Sequence, residues 1–268
     1  MTVAGCTTNT SSKAHTESAD KAGRTFVLVH GAWHGGWCWK HVKQALEADG
    51  HRVFAPTLSG LAERSHLLNE PIGLDTHVQD IVSLIEGEDL RDIVLVGHSY
   101  GGMVVTGVAD HLKDRIDHIV YLDAGTPTES GQSFLDYGPD SNPEGVAAAL
   151  EQLSALAPDG IAMMPLPAIA FGIPAENVEA TRWVEENLTP HPLKTWTDPL
   201  PLENGGSMGL ARTFILCTSP PLENSSIGAA AQLIRNDPSW NYLEMETGHD
   251  AMVLAPAETA GILAGVGS

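Results

Sequence analysis

Residues 92–111 read DIVLVGHSYGGMVVTGVADH, and this stretch constrains the chain more than any other. Asp92–Gly97 is a short β-branched run of the kind that forms a strand buried on both faces. Gly102–His111 reads as a helix. Between them lies Gly97-His98-Ser99-Tyr100-Gly101. Its glycines permit a sharp strand-to-helix turn that lifts a serine hydroxyl out of a sheet and leaves it at a helix N-terminus. A strand feeding a helix in this way belongs in a parallel sheet with helices on its faces.

The flanking sequence extends the pattern. Thr25–His30, Arg52–Ala55 and His118–Leu122 read as further strands, and His41–Ala48 and Leu74–Glu86 as helices. Alternation then stops. Residues 125–211 carry no convincing strand, only helical stretches around Pro143–Leu156 and Ala175–Asn187 among many prolines. It resumes with strands at Thr213–Cys217 and Trp240–Met245 and helices near Gly228–Arg235 and Pro256–Leu263. The expected organisation is an α/β core, residues 25–124 and 212–268, with a mainly helical cap, residues 125–211, inserted over one end of the sheet. The 268 residues, 43% of them hydrophobic, suffice for one such domain.

Residues 1–24 are rich in Ser and Thr without an aromatic and read as a disordered tail. Val3-Ala4-Gly5-Cys6 is similar to a bacterial lipoprotein processing site, so export or lipid anchoring through Cys6 is one expectation and a soluble protein the other. Cys38 and Cys217 read as buried free thiols. The net charge of −20 opposes binding to nucleic acid or anionic lipid, and no run is long and apolar enough for a transmembrane segment. Monomer and homodimer are both compatible with the sequence.

The chemistry centres on Ser99. As a nucleophile it needs a base, and Thr247-Gly248-His249-Asp250, just past the last strand, offers His249. A developing oxyanion needs two backbone donors. One is the amide of Tyr100, after the nucleophile; the other is assigned to Ala32 in the glycine-rich loop 30–37, with Gly31 shaping the turn. His30 and His34 are four residues apart, but Gly31, Gly35 and Gly36 argue against a metal-binding helix, so no metal is assigned.

FVLVHGAWHGGWCW, GHRVFAPTLSGL, IVLVGHSYGGMV, VYLDA and TGHDAM together resemble the α/β-hydrolase branch of plant methyl esterases and hydroxynitrile lyases, and within it bacterial esterases that include pyrethroid-hydrolysing carboxylesterases. The resemblance spans roughly residues 25–265 and is weakest in the cap, where PHPLKTWTDPLPL is the most family-like stretch. It implies the α/β-hydrolase fold, no cofactor, and ester hydrolysis through an acyl-enzyme. It also implies the roles given to Ser99, His249, Ala32 and Tyr100. Where the family's lyases carry threonine, glutamate and lysine, this chain has Gly31, His98 and Asp250, which argues against cyanohydrin cleavage. The plant members' triad acid falls at Pro221 here. Two carboxylates could replace it. Asp123 ends the strand HIVYL on a stiff platform and is favoured; Glu223, in the expected loop, is the alternative.

Trp33, Phe134, Met164, Phe171, Trp183 and Trp196 are the expected substrate-binding side chains, with Met163 also in the cap. They suit a neutral small-molecule ester with an aromatic or long alkyl part. Lactone, carbonate or C–C hydrolysis by the same residues is the alternative, and a ligand receptor on a hydrolase scaffold a weaker one. The cap segment has twelve acidic side chains against Arg182 and Lys194, so its exterior is expected to disfavour anionic esters.

Overall fold

The computed structural model describes Met1 and residues 23–68, 71–137, 141–222 and 225–267. The expectations for Cys6 and Glu223, and for most of the tail, lie outside the described residues.

Six strands, β1 (Thr25–Val29), β2 (Arg52–Phe54), β3 (Ile93–His98), β4 (Ile116–Leu122), β7 (Ala211–Cys217) and β8 (Asn241–Met245), form a sheet in the order β2-β1-β3-β4-β7-β8. All its pairings are parallel. Side-chain alternation divides the core in two. Ile93 and Leu95 of β3 pack on one face with Leu74, Val78 and Ile81 of α2 (Leu74–Gly87) and with Met103 and Val104 of α3 (Gly101–Leu112). Val94 and Val96 pack on the other with Val42 and Leu46 of α1 (Lys40–Ala48) and with Ala260 and Leu263 of α9 (Pro256–Gly265). Burial on both faces is why these strands are continuously apolar. Each fully buried Leu, Ile or Val contributes about 1.5–3 kcal/mol of transfer free energy.

Residues between β4 and β7 form α4 (Pro143–Leu156), β5 (Ala162–Met163), α5 (Val178–Asn187), β6 (His191–Pro192) and α6 (Lys194–Thr197). Here the sequence reading needs two corrections. The segment does contain strands: β5 and β6 pair antiparallel, too short at two residues each to leave a periodic signal. And α5 starts at Val178, not Ala175, because the Asn177 side chain caps it by accepting from the Ala180 N–H. After β7 come α7 (Ser226–Ile234) and, beyond β8, α8 (Ala251–Leu254). Cys38 and Cys217 are free and buried. No helix among the described residues is long and apolar enough to cross a membrane.

The register sets up the site. His98 pairs with Leu122, and Leu122 with Ile215. Ser99 and Asp123 therefore leave the sheet side by side at its carboxyl edge, where open α/β sheets bind ligands.

Candidate active site

Ser99 sits in the left-handed region with φ 54°, a strained conformation for a residue with a Cβ. Its surroundings hold it there. The Ser99 N–H donates to the Leu122 carbonyl at 3.2 Å, and the Gly125 N–H donates to the Ser99 carbonyl at 3.0 Å. The glycines are steric necessities. A Cβ on Gly101 would lie 2.8 Å from the His30 carbonyl oxygen, and one on Gly31 would lie 2.9 Å from both His98 Nδ1 and Ser99 Cβ.

Asp123, also left-handed at φ 44°, follows β4 as Ser99 follows β3. Its Oδ2 accepts from His249 Nδ1 at 2.6 Å, and its Oδ1 accepts from the Cys217 N–H at 3.3 Å. Both side chains are buried. With the Nδ1 proton directed at a carboxylate, His249 keeps Nε2 for accepting a proton. On its other side the His249 carbonyl accepts from His98 Nε2 at 3.0 Å. Burial, followed by the charges of His249 and His34, holds His98 well below the usual histidine range, so it is a neutral donor.

The segment between β4 and β7 touches the histidine loop directly. The Asp250 N–H donates to the Phe171 carbonyl at 3.1 Å. Gly248 lies against Gly172 so closely that a Cβ on it would be 2.3 Å from the Gly172 oxygen. Across the site, Ala32 and Tyr100 are buried, and neither amide N–H donates to another protein group among the described residues. His30 and His34 share no ligand position. His30 Nε2 accepts from the Leu58 N–H, and His34 Nε2 meets Asp250.

Ser99 and His249 line one cavity of about 370 Å³ together with Trp33, Phe134, Phe171 and Trp196. Leu135, Tyr137, Ala149, Leu166, Leu222 and Ile227 complete most of its apolar wall. It opens toward a larger groove of about 680 Å³ between α4 and α7, with which it shares Leu135, Ala149 and Ile227.

A family model described as "Alpha/beta hydrolase family" matches residues 26–262. The chain belongs to that family. This α/β-hydrolase is 42% identical over 251 residues to the carbendazim hydrolyzing esterase of Nocardioides sp. (strain SG-4G), an alignment covering 90% of this chain and 99% of that one. It is 36% identical to methylesterase 2 of Arabidopsis thaliana over 134 residues, about half of each chain (48% and 51%). Among solved structures, an extracellular alpha/beta-hydrolase from a Paenibacillus species superposes with a TM-score of 0.71 at 23% identity, covering 90% of this chain and 97% of that one.

The α/β-hydrolase cavity corrects two of the expected substrate contacts. Met164 is half exposed and does not line it. Both residues of β5, Ala162 and Met163, are buried, and the Met163 carbonyl accepts from Trp33 Nε1 at 3.0 Å; Met164, just past the strand, is exposed. Trp183 is absent from the lining too. The buried stripe of α5 is Ala180 and Val184, and Trp183 projects to another side, edge-on to Trp37 and His41. Conversely, the sequence reading missed the wall supplied by Leu222 and the start of α7, Ser225–Ile227. A helix capped by Ser225 was readable there; its position over the nucleophile was not.

Proposed function

We propose that this α/β-hydrolase is a serine carboxylesterase in which Ser99 attacks the ester carbonyl, His249 carries the proton and Asp123 orients His249. One observation carries the assignment: His249, donating to Asp123 at 2.6 Å, shares with Ser99 a cavity walled by apolar side chains. Similarity to a named esterase over nearly that protein's whole length supports the same reaction class.

Bond formation between Ser99 Oγ and the carbonyl carbon passes the hydroxyl proton to His249 Nε2. The resulting imidazolium is stabilised by the buried Asp123 carboxylate, which stays ionised. Negative charge moves onto the former carbonyl oxygen, and the N–H groups of Ala32 and Tyr100 receive it in this reading. Collapse breaks the bond to the alkoxy oxygen, and His249 returns the proton to the leaving alcohol. Water, deprotonated by His249, then attacks the acyl-enzyme; the acid departs and Ser99 is restored.

Trp33, Phe134, Phe171 and Trp196 are the proposed contacts for an aromatic or alkyl substrate part, beneath a cap formed by residues 125–211. No Lys or Arg lines the cavity among the described residues, so an anionic substrate lacks a clamp. The cap's Arg182 is already paired with Glu186, and Lys194 with Asp198. At the position where the family's lyases carry lysine, Asp250 is buried against His34, which argues against holding cyanide.

The test is turnover of p-nitrophenyl butyrate by wild type and Ser99→Ala, followed by a panel of alkyl, aryl and cyclic esters, carbonates and carbendazim. The reading expects hydrolysis of neutral esters that disappears in Ser99→Ala. An enzyme that hydrolyses no ester contradicts it.

A further inference from the structure

The Ala32–Trp33 turn is strained, and three buried histidines hold it. Trp33 has φ 62°, in the left-handed region that a bulky residue avoids. The Gly31 carbonyl accepts from His30 Nδ1 at 2.8 Å, which fixes the peptide that carries the Ala32 N–H. In a trans peptide the N–H points opposite to the C=O, so this contact sets where the Ala32 N–H aims. The next peptide is held on both sides. Its carbonyl, on Ala32, accepts from His34 Nδ1 at 2.8 Å; its N–H, on Trp33, donates to His191 Nδ1 at 3.2 Å.

His34 reaches further. Its Nε2 lies 3.0 Å from Asp250 Oδ2, with both side chains almost fully buried (1% and 0% exposed). One ring nitrogen thus faces a carbonyl and the other a carboxylate oxygen. The carbonyl and a carboxylate are acceptors, so a ring protonated on both nitrogens, an imidazolium, satisfies the two contacts at once. Burial lowers the affinity of His34 for its proton, but the Asp250 charge and hydrogen bond more than offset this and leave it raised. The ring stacks on Trp37 and meets Phe171 edge-on, so it has little freedom to turn. Asp250 follows His249 directly in the chain, and its own N–H is fixed to the Phe171 carbonyl.

We propose that His34 is a positioning residue: charged and paired with Asp250, it ties the oxyanion turn at Ala32–Trp33 to the loop that bears His249, and so keeps the oxyanion donor and the base in mutual register. This rests on the esterase reading above. His34 touches no reacting atom; it acts through the Ala32 peptide and through Asp250.

The test compares wild type with Asp250→Asn, Asp250→Ala, His34→Ala and the His34→Ala/Asp250→Ala double variant. For each, kcat and KM for p-nitrophenyl butyrate, the inhibition constant of an alkyl trifluoromethyl ketone and Tm are measured. The ketone adds to the serine and places an oxyanion in the hole. Asp250→Ala and His34→Ala are expected to lower kcat about 10–100-fold, leave KM within about twofold and weaken the ketone by the same factor as kcat. Asp250→Asn, which keeps an acceptor for Nε2, should recover part of the loss. The double variant should be no worse than either single one, because both cut the same link. In wild type, ¹H–¹⁵N NMR should assign two protonated ring nitrogens to His34, a readout that needs no variant to fold. Unchanged kcat and ketone affinity in folded variants, a loss confined to Tm, or a single ring proton on His34 would overturn the proposal. A wild type that neither turns over the ester nor binds the ketone would overturn the esterase reading, and this one with it.

Discussion

His249 Nδ1 and Asp123 Oδ2 lie 2.6 Å apart, although the residues are separated by 126 positions in the chain. Asp123→Asn keeps the size of the side chain but offers an amide in place of the carboxylate, so the imidazolium loses its counter-charge and the ring its enforced tautomer. The expected result is a fall in kcat of about 10³–10⁴-fold with a modest change in KM. Glu223→Gln should leave kcat within about twofold. Steady-state kinetics of the two variants checks both statements; a large loss in Glu223→Gln alone would transfer the acid to that loop.

Ser99 and His249 were legible as candidates because each sits in a short, local pattern: a glycine-flanked turn after an apolar strand, and a loop after the last strand. Asp123 was legible only as one of two carboxylates. Nothing local distinguishes a strand-end aspartate that reaches an imidazole from one that caps backbone amides. The contact of Asp123 with His249 depends on register, with Leu122 beside His98 and Ile215. The same limit explains the pocket. Trp33, Phe134, Phe171 and Trp196 line it, but Met164 and Trp183 do not. Hydrophobicity gave no clue to whether Met164, just past β5, faces the cavity, or to which side of a short helix does. The His34–Asp250 pair, 216 residues apart, was invisible for the same reason.

The pocket assignment has a direct check. Trp196 packs against Trp33 and Phe134 inside the cavity, with ring centroids 5.5 and 4.7 Å away. Trp196→Ala or Phe134→Ala should raise KM for an aryl ester about tenfold or more, the equivalent of losing part of a buried aromatic contact. Met164→Ala and Trp183→Ala should change it less than twofold. Equal effects in all four would mean that the cavity is not where the aryl group binds.

Two glycines separate steric from catalytic consequences. A Cβ on Gly102 would lie 2.0 Å from the Gly125 carbonyl oxygen, so Gly102→Ala must push α3 away from the segment after β4. A loss of about 1–3 kcal/mol or more in urea unfolding is expected. Gly31→Ala meets His98 and Ser99 side chains instead. It should depress kcat at least tenfold with a smaller loss of stability, because its collision falls on the nucleophile. Thermal unfolding and kinetics on the same two proteins would show whether the effects divide in this way.

Stability should fall on the acid side of neutrality. Burial first, and for His30, His98 and His191 also the neighbouring histidines, hold four rings below their ordinary value of 6.5, His30 at about 3 and His77 at about 4. Below pH 6.5 the unfolded chain takes up these protons while the folded one refuses them. Each such histidine then lowers stability by about 1.4 kcal/mol per pH unit until its folded value is reached. His34 has the opposite sign. Its proton affinity is raised in the fold, so its contribution is complete below pH 6.5 and is lost as pH rises through the folded value. Urea midpoints measured at pH 7.5, 6 and 5 should drop steeply over the last step. A flat profile between pH 7 and pH 5 would mean that these histidines are not buried in their neutral form.

The central claim is that Ser99 is the group that becomes acylated. Treating the protein with a fluorophosphonate and mapping the adduct by peptide mass spectrometry tests it most directly. The account predicts one adduct per chain, on the peptide containing Ser99, formed in step with loss of esterase activity and absent from Ser99→Ala. Stoichiometric labelling of another residue, or esterase turnover that survives in Ser99→Ala, would contradict it.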